Sequence, residues 1–226
     1  MKINSYKKNI FEVALLFILI IASFVVWDSI IIFPIKLLVV LLHEISHGIT
    51  AIITGGKILS LEINLNLGGK CITEDGNQLL IAFAGYPGSF LFGAILFYST
   101  YKPKLKILII SIISIIIFLF AVNTISNPVL SFISILIAFL IIVINKFLSA
   151  SISNIIFRAI GLMSCVYVIY DIKEDVFNNS SYLSDASFIA EKTGLSTSFW
   201  GLLWILFSII GIIFLIAFSL RKSKFY

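Results

Sequence analysis

The chain has 226 residues, 60% of them hydrophobic and 12% charged, with a formal net charge of +5 and a mean hydropathy of +1.14. Soluble domains run at about half apolar and a quarter charged, so this chain cannot cover itself with polar surface and the excess must face lipid. Its basic residues flank apolar runs, at Lys2, Lys7 and Lys8, from Lys102 to Lys106 and from Arg221 to Lys224, as membrane-surface anchors do; nothing in that pattern points to a nucleic-acid partner.

In chain order the apolar runs long enough to span a bilayer, or nearly so, are Ile10–Trp27, Ser29–Ile53, Leu79–Tyr101, Ile107–Val122, Pro128–Ile144, Ile152–Tyr170 and Ser198–Leu220. They predict an all-α polytopic membrane bundle of six or seven transmembrane helices, forming a single domain over residues 1–226. The first run follows a basic stretch as a signal peptide would. It is longer than the ~7–15 residue apolar core of such a peptide, and no small-x-small cleavage site follows, so it reads as a retained helix. With seven spans, Lys2, Lys7, Lys8, Lys57, Lys70, Lys173 and Lys192 fall on one side and Lys102, Lys104, Lys106, Lys146, Arg221, Lys222 and Lys224 on the other. With the charges so balanced, the positive-inside rule assigns no orientation.

Two segments between the runs have their own signatures. From Leu59 to Leu67 the sequence alternates, Leu59, Leu61, Ile63, Leu65 and Leu67 against Ser60, Glu62, Asn64 and Asn66, which is the period of a strand with one apolar face. Gly68-Gly69 then supplies a turn tolerant of positive φ, and Lys70 to Thr73 returns as a partner strand, so a β-hairpin is expected beside the membrane. The second segment, Asp171 to Thr197, is polar and acidic. Ser184-Asp185-Ala186 opens a short predicted helix through Glu191 that ends at Gly194. Cys71 and Cys165 lie far apart and read as small packing residues rather than a ligand pair.

His43-Glu44-Ile45-Ser46-His47 has the pattern H-E-x-x-H, and these are the two histidines of the chain. On a helix, positions i and i+4 share a face, so both imidazoles can reach one Zn²⁺, while Glu44, the next residue round, is placed to take a proton from water rather than bind the metal. The pair interrupts an apolar segment, where an ionisable side chain costs roughly 3 kcal/mol unless it has a partner. Among the metals of this series the motif suits zinc, selected by geometry rather than by affinity.

His43–His47, continuing through Gly48-Ile49-Thr50-Ala51 to Thr54-Gly55-Gly56-Lys57, resembles the site-2 protease group of intramembrane zinc metallopeptidases, and most closely its small bacterial branch. In that branch the zinc helix runs directly into a T-G-G turn and a strand. Ala84–Ser89 and Ser184-Asp185-Ala186 fit the same branch, so the resemblance covers roughly Leu41–Ser208. It implies one Zn²⁺ per chain, a membrane-bound protein or peptide substrate, and a place in the bacterial cell membrane.

A catalytic zinc needs a third protein ligand. Of the eleven acidic residues, Glu44 is the base; Glu62, Glu74 and Asp75 belong to the hairpin, Asp185 and Glu191 to the polar loop, and Glu12 and Asp28 to the ends of the first helix. Asp171, Glu174 and Asp175 remain, at the end of the run Ile152–Tyr170. The family's third ligand is an aspartate on a later helix, within an Asp-Gly motif, which sets Asp171 first, Asp175 second and Glu174 behind them. The motif itself departs here: Asp75-Gly76 is in the hairpin region and Asn127-Pro128 is followed by valine. The alternative to a peptidase is a catalytically inactive membrane protein of the same fold that binds zinc or partner helices.

Other residues carry weaker signals. Lys36 shares a helix face with His43 and serves either as a pathway charge or as a snorkelling lysine, and Arg158 sits at an interface or neutralises an acid within the bundle. Gly85, Gly88 and Gly93 are spaced for close helix packing. The hairpin edge is placed to hold an extended substrate by strand addition.

Overall fold

The computed structural model describes residues 14, 16–21, 25, 29, 32–64, 68–173 and 184–223. The elements are α1 (Phe33–Ile53), β1 (Lys57–Ile63), β2 (Gly69–Glu74), α2 (Gln78–Ser99), α3 (Pro103–Asn123), α4 (Pro128–Phe147), α5 (Ala150–Ile172), α6 (Asp185–Thr193) and α7 (Thr197–Ser223). Among the described residues six helices are long and apolar enough to cross a membrane, and they correspond to the last six runs read from the sequence. Most of the first run, Ile10–Trp27, lies outside the described residues. The shortest runs gain length at their ends. α3 starts at Pro103 and takes in Lys104 and Lys106, so it reaches 21 residues, and α4 reaches 20. At 1.5 Å per residue each covers the roughly 30 Å of a hydrocarbon core.

α1 is the centre of the bundle. Every residue from Leu37 to Gly48 is buried, so the helix is enclosed on all sides, as a helix that is apolar all round must be. α2 lies along both α1 and α5, and the α2–α5 approach is tightest where Gly93 and Gly161 face each other: a Cβ on either would stand 2.6 Å from the other's carbonyl oxygen. α3 and α4 bury a single stripe each, Ile110, Ile113, Ile117 and Ala121 on one and Leu130, Ile137, Ala138 and Ile141 on the other. Their other faces, including Ile107, Ile115, Phe118, Phe132 and Phe139, are exposed large apolar side chains and face lipid. The chain is a polytopic membrane protein.

The hairpin follows the zinc-motif helix directly. β1 and β2 pair antiparallel, with Leu61 opposite Cys71 and Ile63 opposite Gly69. Leu61 and Ile63 are buried in the main core, but Leu59 is 53% exposed, because the register shifts between Ile58 and Ser60 and the expected alternation breaks there. The far edge of β1 is covered: the Leu61 N–H donates to the Thr124 carbonyl (2.7 Å) and the Ser126 N–H to the Leu61 carbonyl (3.3 Å). Residues 65–67 lie outside the described residues. Positive φ occurs at Gly55, Asp75, Gly76 and Gly194 and not at Gly69, so that glycine meets a need other than a turn.

α6 forms as its sequence predicts. The Ser184 hydroxyl caps it by accepting from the Ser187 N–H (3.2 Å), and Gly194 ends it at φ 73°. Ala186 and Ile189 anchor it in the core shared by α2, α5 and α7, which fixes where Asp185, the first residue of the helix, points.

Candidate metal centre

His43 and His47 project one turn apart from the buried stretch of α1. The Nδ1–H of His47 donates to the Ile81 carbonyl on α2 at 2.6 Å, so its Nε2 carries the lone pair and faces inward. His43 is held by packing instead. Its ring meets Tyr86 edge-on at 4.9 Å and Tyr167 at 6.2 Å, and its buried Nδ1 has no hydrogen-bond partner among the described residues. Gly85 makes room for both rings: a Cβ there would lie 2.5 Å from His43 Nε2 and 2.6 Å from His47 Cε1. A glycine whose spacing suggests helix packing thus shapes the site.

The third group is Asp185. Its Oδ2 lies 3.1 Å from Nε2 of His43 and 3.1 Å from Nε2 of His47, and the three ligand atoms all fall within 4.8 Å of one another. Ligands bound ~2.0–2.2 Å from a tetrahedral zinc stand about 3.4 Å apart, so the cluster closes on one ion with small movements. Two imidazoles and a carboxylate are a catalytic zinc set with a position left open.

The carboxylate that converges with the two histidines is thus Asp185, whereas the sequence favours Asp171 as third ligand. Asp171 lines the same cavity but is not among the converging ligand atoms, and Glu174 and Asp175 lie outside the described residues. In sequence Asp185 reads as a loop residue. Its cue is the resemblance of Ser184-Asp185-Ala186 to the bacterial branch, joined to the capping serine that orients it.

Glu44 is buried beside the two histidines and accepts a hydrogen bond from the backbone N–H of Cys71. Its carboxyl group occupies the space a Cβ on Gly69 would fill, so β2 approaches this closely only because residue 69 is glycine. A cavity of about 430 Å³ opens onto these groups, lined by α1, by β2 from Gly69 to Cys71, by Asp171 at the end of α5 and by α6. Cys71 sits at its edge, where burial and then the charges of Glu44 and Asp185 push the thiol up to about 12. Neither Lys36 nor Arg158 lines the cavity. Arg158 instead packs over the Tyr101 ring at 4.1 Å and donates to Thr100 Oγ1 at 2.9 Å.

A buried His-His-Asp zinc site with an acid beside it, enclosed by membrane-spanning helices, is the active site of a zinc metalloendopeptidase set within the bilayer. No curated protein and no solved structure matches the chain. A family model described as Peptidase M50B-like matches residues 16–215, nearly the whole chain, and the chain belongs to that family.

Proposed function

We propose that this peptidase hydrolyses peptide bonds of membrane-embedded protein or peptide segments, with Glu44 as its general base and Asp185 as its third zinc ligand, in the bacterial cell membrane. The observation that carries the reading is the convergence of His43, His47 and Asp185 beside Glu44 in one cavity. A zinc ion held by these three residues would lower the pKa of water to about 7 and polarise a scissile carbonyl. Glu44 takes the proton of the attacking water and delivers it to the leaving amine. The bacterial location rests on the resemblance of the zinc helix and its T-G-G turn to the small bacterial branch.

The hairpin supplies a way to hold the substrate. Leu61 spends both its N–H and its carbonyl on residues 124 and 126, away from β2. Leu61 and Cys71 are therefore a non-hydrogen-bonded pair, and the Cys71 N–H and carbonyl point away from β1, toward the cavity and Glu44. An unwound substrate segment added along β2 would present its carbonyls beside the histidines, which an intact helix cannot do because its own hydrogen bonds use them.

The test is cleavage in proteoliposomes that also contain extracted membrane proteins, with new termini identified by mass spectrometry. New termini within membrane segments, produced by the wild type and absent with Glu44→Gln, support the reading. Equal products from both proteins overturn it.

A further inference from the structure

On the basis of the zinc centre of His43, His47 and Asp185, we propose that Thr54 is a positioning residue for His47, acting through the first turn of α2. Thr54 follows His47 by seven residues, and its N–H still bonds to the Thr50 carbonyl at 3.0 Å, so the helical course of α1 reaches it. The two side chains therefore leave the same face of α1, about two turns apart.

Each of them fastens one point of α2. The Thr54 hydroxyl accepts from the Asn77 N–H at 3.0 Å, and the His47 Nδ1–H donates to the Ile81 carbonyl at 2.6 Å. Between those points α2 makes its first turn. The Asn77 side chain accepts from the Leu80 N–H at 3.1 Å, and the Asn77 carbonyl accepts from the Ile81 N–H at 2.9 Å. A closed ring thus runs from His47 along α1 to Thr54, across to Asn77, along α2 to Ile81 and back to His47.

The hydroxyl is itself aimed. It donates to the Thr50 carbonyl at 2.8 Å, which turns its lone pairs toward Asn77. The neck of the hairpin brings Asn77 within reach. Gly76, at φ 76°, turns the chain against the end of α1, where a Cβ would stand 2.8 Å from Thr54 Oγ1 and 3.2 Å from the Ala51 carbonyl oxygen. Removing the Thr54 oxygen releases the Asn77 N–H and with it the start of α2. The Ile81 carbonyl then loses its fixed place against α1, and the His47 ring gains freedom to turn Nε2 off the metal. Gln78, Ile81 and Ala82 line the cavity, so the same clamp fixes its α2 wall.

The test is zinc affinity of the purified protein in detergent, measured by competition with a chelator well below the unfolding temperature. Thr54→Val keeps the shape of the side chain and should weaken zinc binding about fivefold, the size expected of one hydrogen bond. Thr54→Ser should restore it, because the hydroxyl makes the contact. Thr50→Val lies one turn closer to His47, but the Thr50 hydroxyl bonds back to the Ser46 carbonyl within α1 (2.9 Å), so the affinity should stay unchanged. Should Thr54→Val fail to fold, Thr54→Ala provides the same comparison. Equal affinity in the substituted protein and the wild type overturns the positioning role, as does a loss that Thr54→Ser does not restore or that Thr50→Val reproduces. A wild type that binds no zinc overturns the metal centre itself.

Discussion

The imidazole of His47 is locked by a 2.6 Å hydrogen bond from its Nδ1–H to the carbonyl of Ile81, which turns Nε2 onto Asp185. The orientation of this zinc ligand is therefore set by the backbone of α2, four residues before the glycine that clears space for both rings. Gly85→Ala tests the arrangement. Its methyl group would drive into both imidazoles, and zinc affinity, measured by competition with a chelator, should fall about 10- to 100-fold in a protein that still inserts and folds.

Glu44 is separable from metal binding. Glu44→Gln keeps size and hydrogen bonding but cannot take a proton, so zinc content should match the wild type while the cleavage rate falls about 10²- to 10⁴-fold. Full biological function in this variant would mark the chain as an inactive relative that keeps the fold to bind zinc or a partner helix.

Gly69 carries a prediction of its own. Its Cα lies against the Glu44 carboxyl group with no space for a methyl. Gly69→Ala should push Glu44 aside or lift β2, lowering kcat at least tenfold with zinc still bound. A valine at the neighbouring, exposed Lys70 should leave zinc content unchanged.

The Cys71 thiol, held up to about 12, stays protonated through neutral pH. In a Cys165→Ser background, alkylation of Cys71 at pH 8 should run about 10³-fold slower than that of an ordinary thiol with pKa about 8.5. The same shift fixes a sign for stability. The folded thiol holds its proton more tightly than the unfolded one, so its contribution declines as pH rises above about 8.5 and is lost by about 12.

Much of this is legible in the sequence because the physical signals are local. Hydropathy marks the spans, and i, i+4 spacing puts both histidines on one face of α1. Period-two alternation marks the hairpin, and Ser184 with Gly194 bounds α6. What is not legible depends on contacts between elements. The exposure of Leu59 follows from a register shift against β2, which alternation within one strand does not reveal. Asp185 follows from how α6 docks on Ala186 and Ile189, bringing a residue 142 positions from His43 to within 3.1 Å. Asp171 stands out in the sequence because it ends a helix that runs to the site, and it does reach the cavity wall. Gly69 looks like a turn residue because its sequence neighbours suggest one, whereas its constraint comes from Glu44 on another element.

The identity of the third ligand bears most directly on the proposed chemistry, and zinc stoichiometry of the purified protein decides it. The wild type and Asp171→Ala should each carry one zinc per chain, while His43→Ala, His47→Ala and Asp185→Ala should carry far less. Zinc retained in Asp185→Ala and lost in Asp171→Ala would contradict the arrangement of α6 over the two histidines.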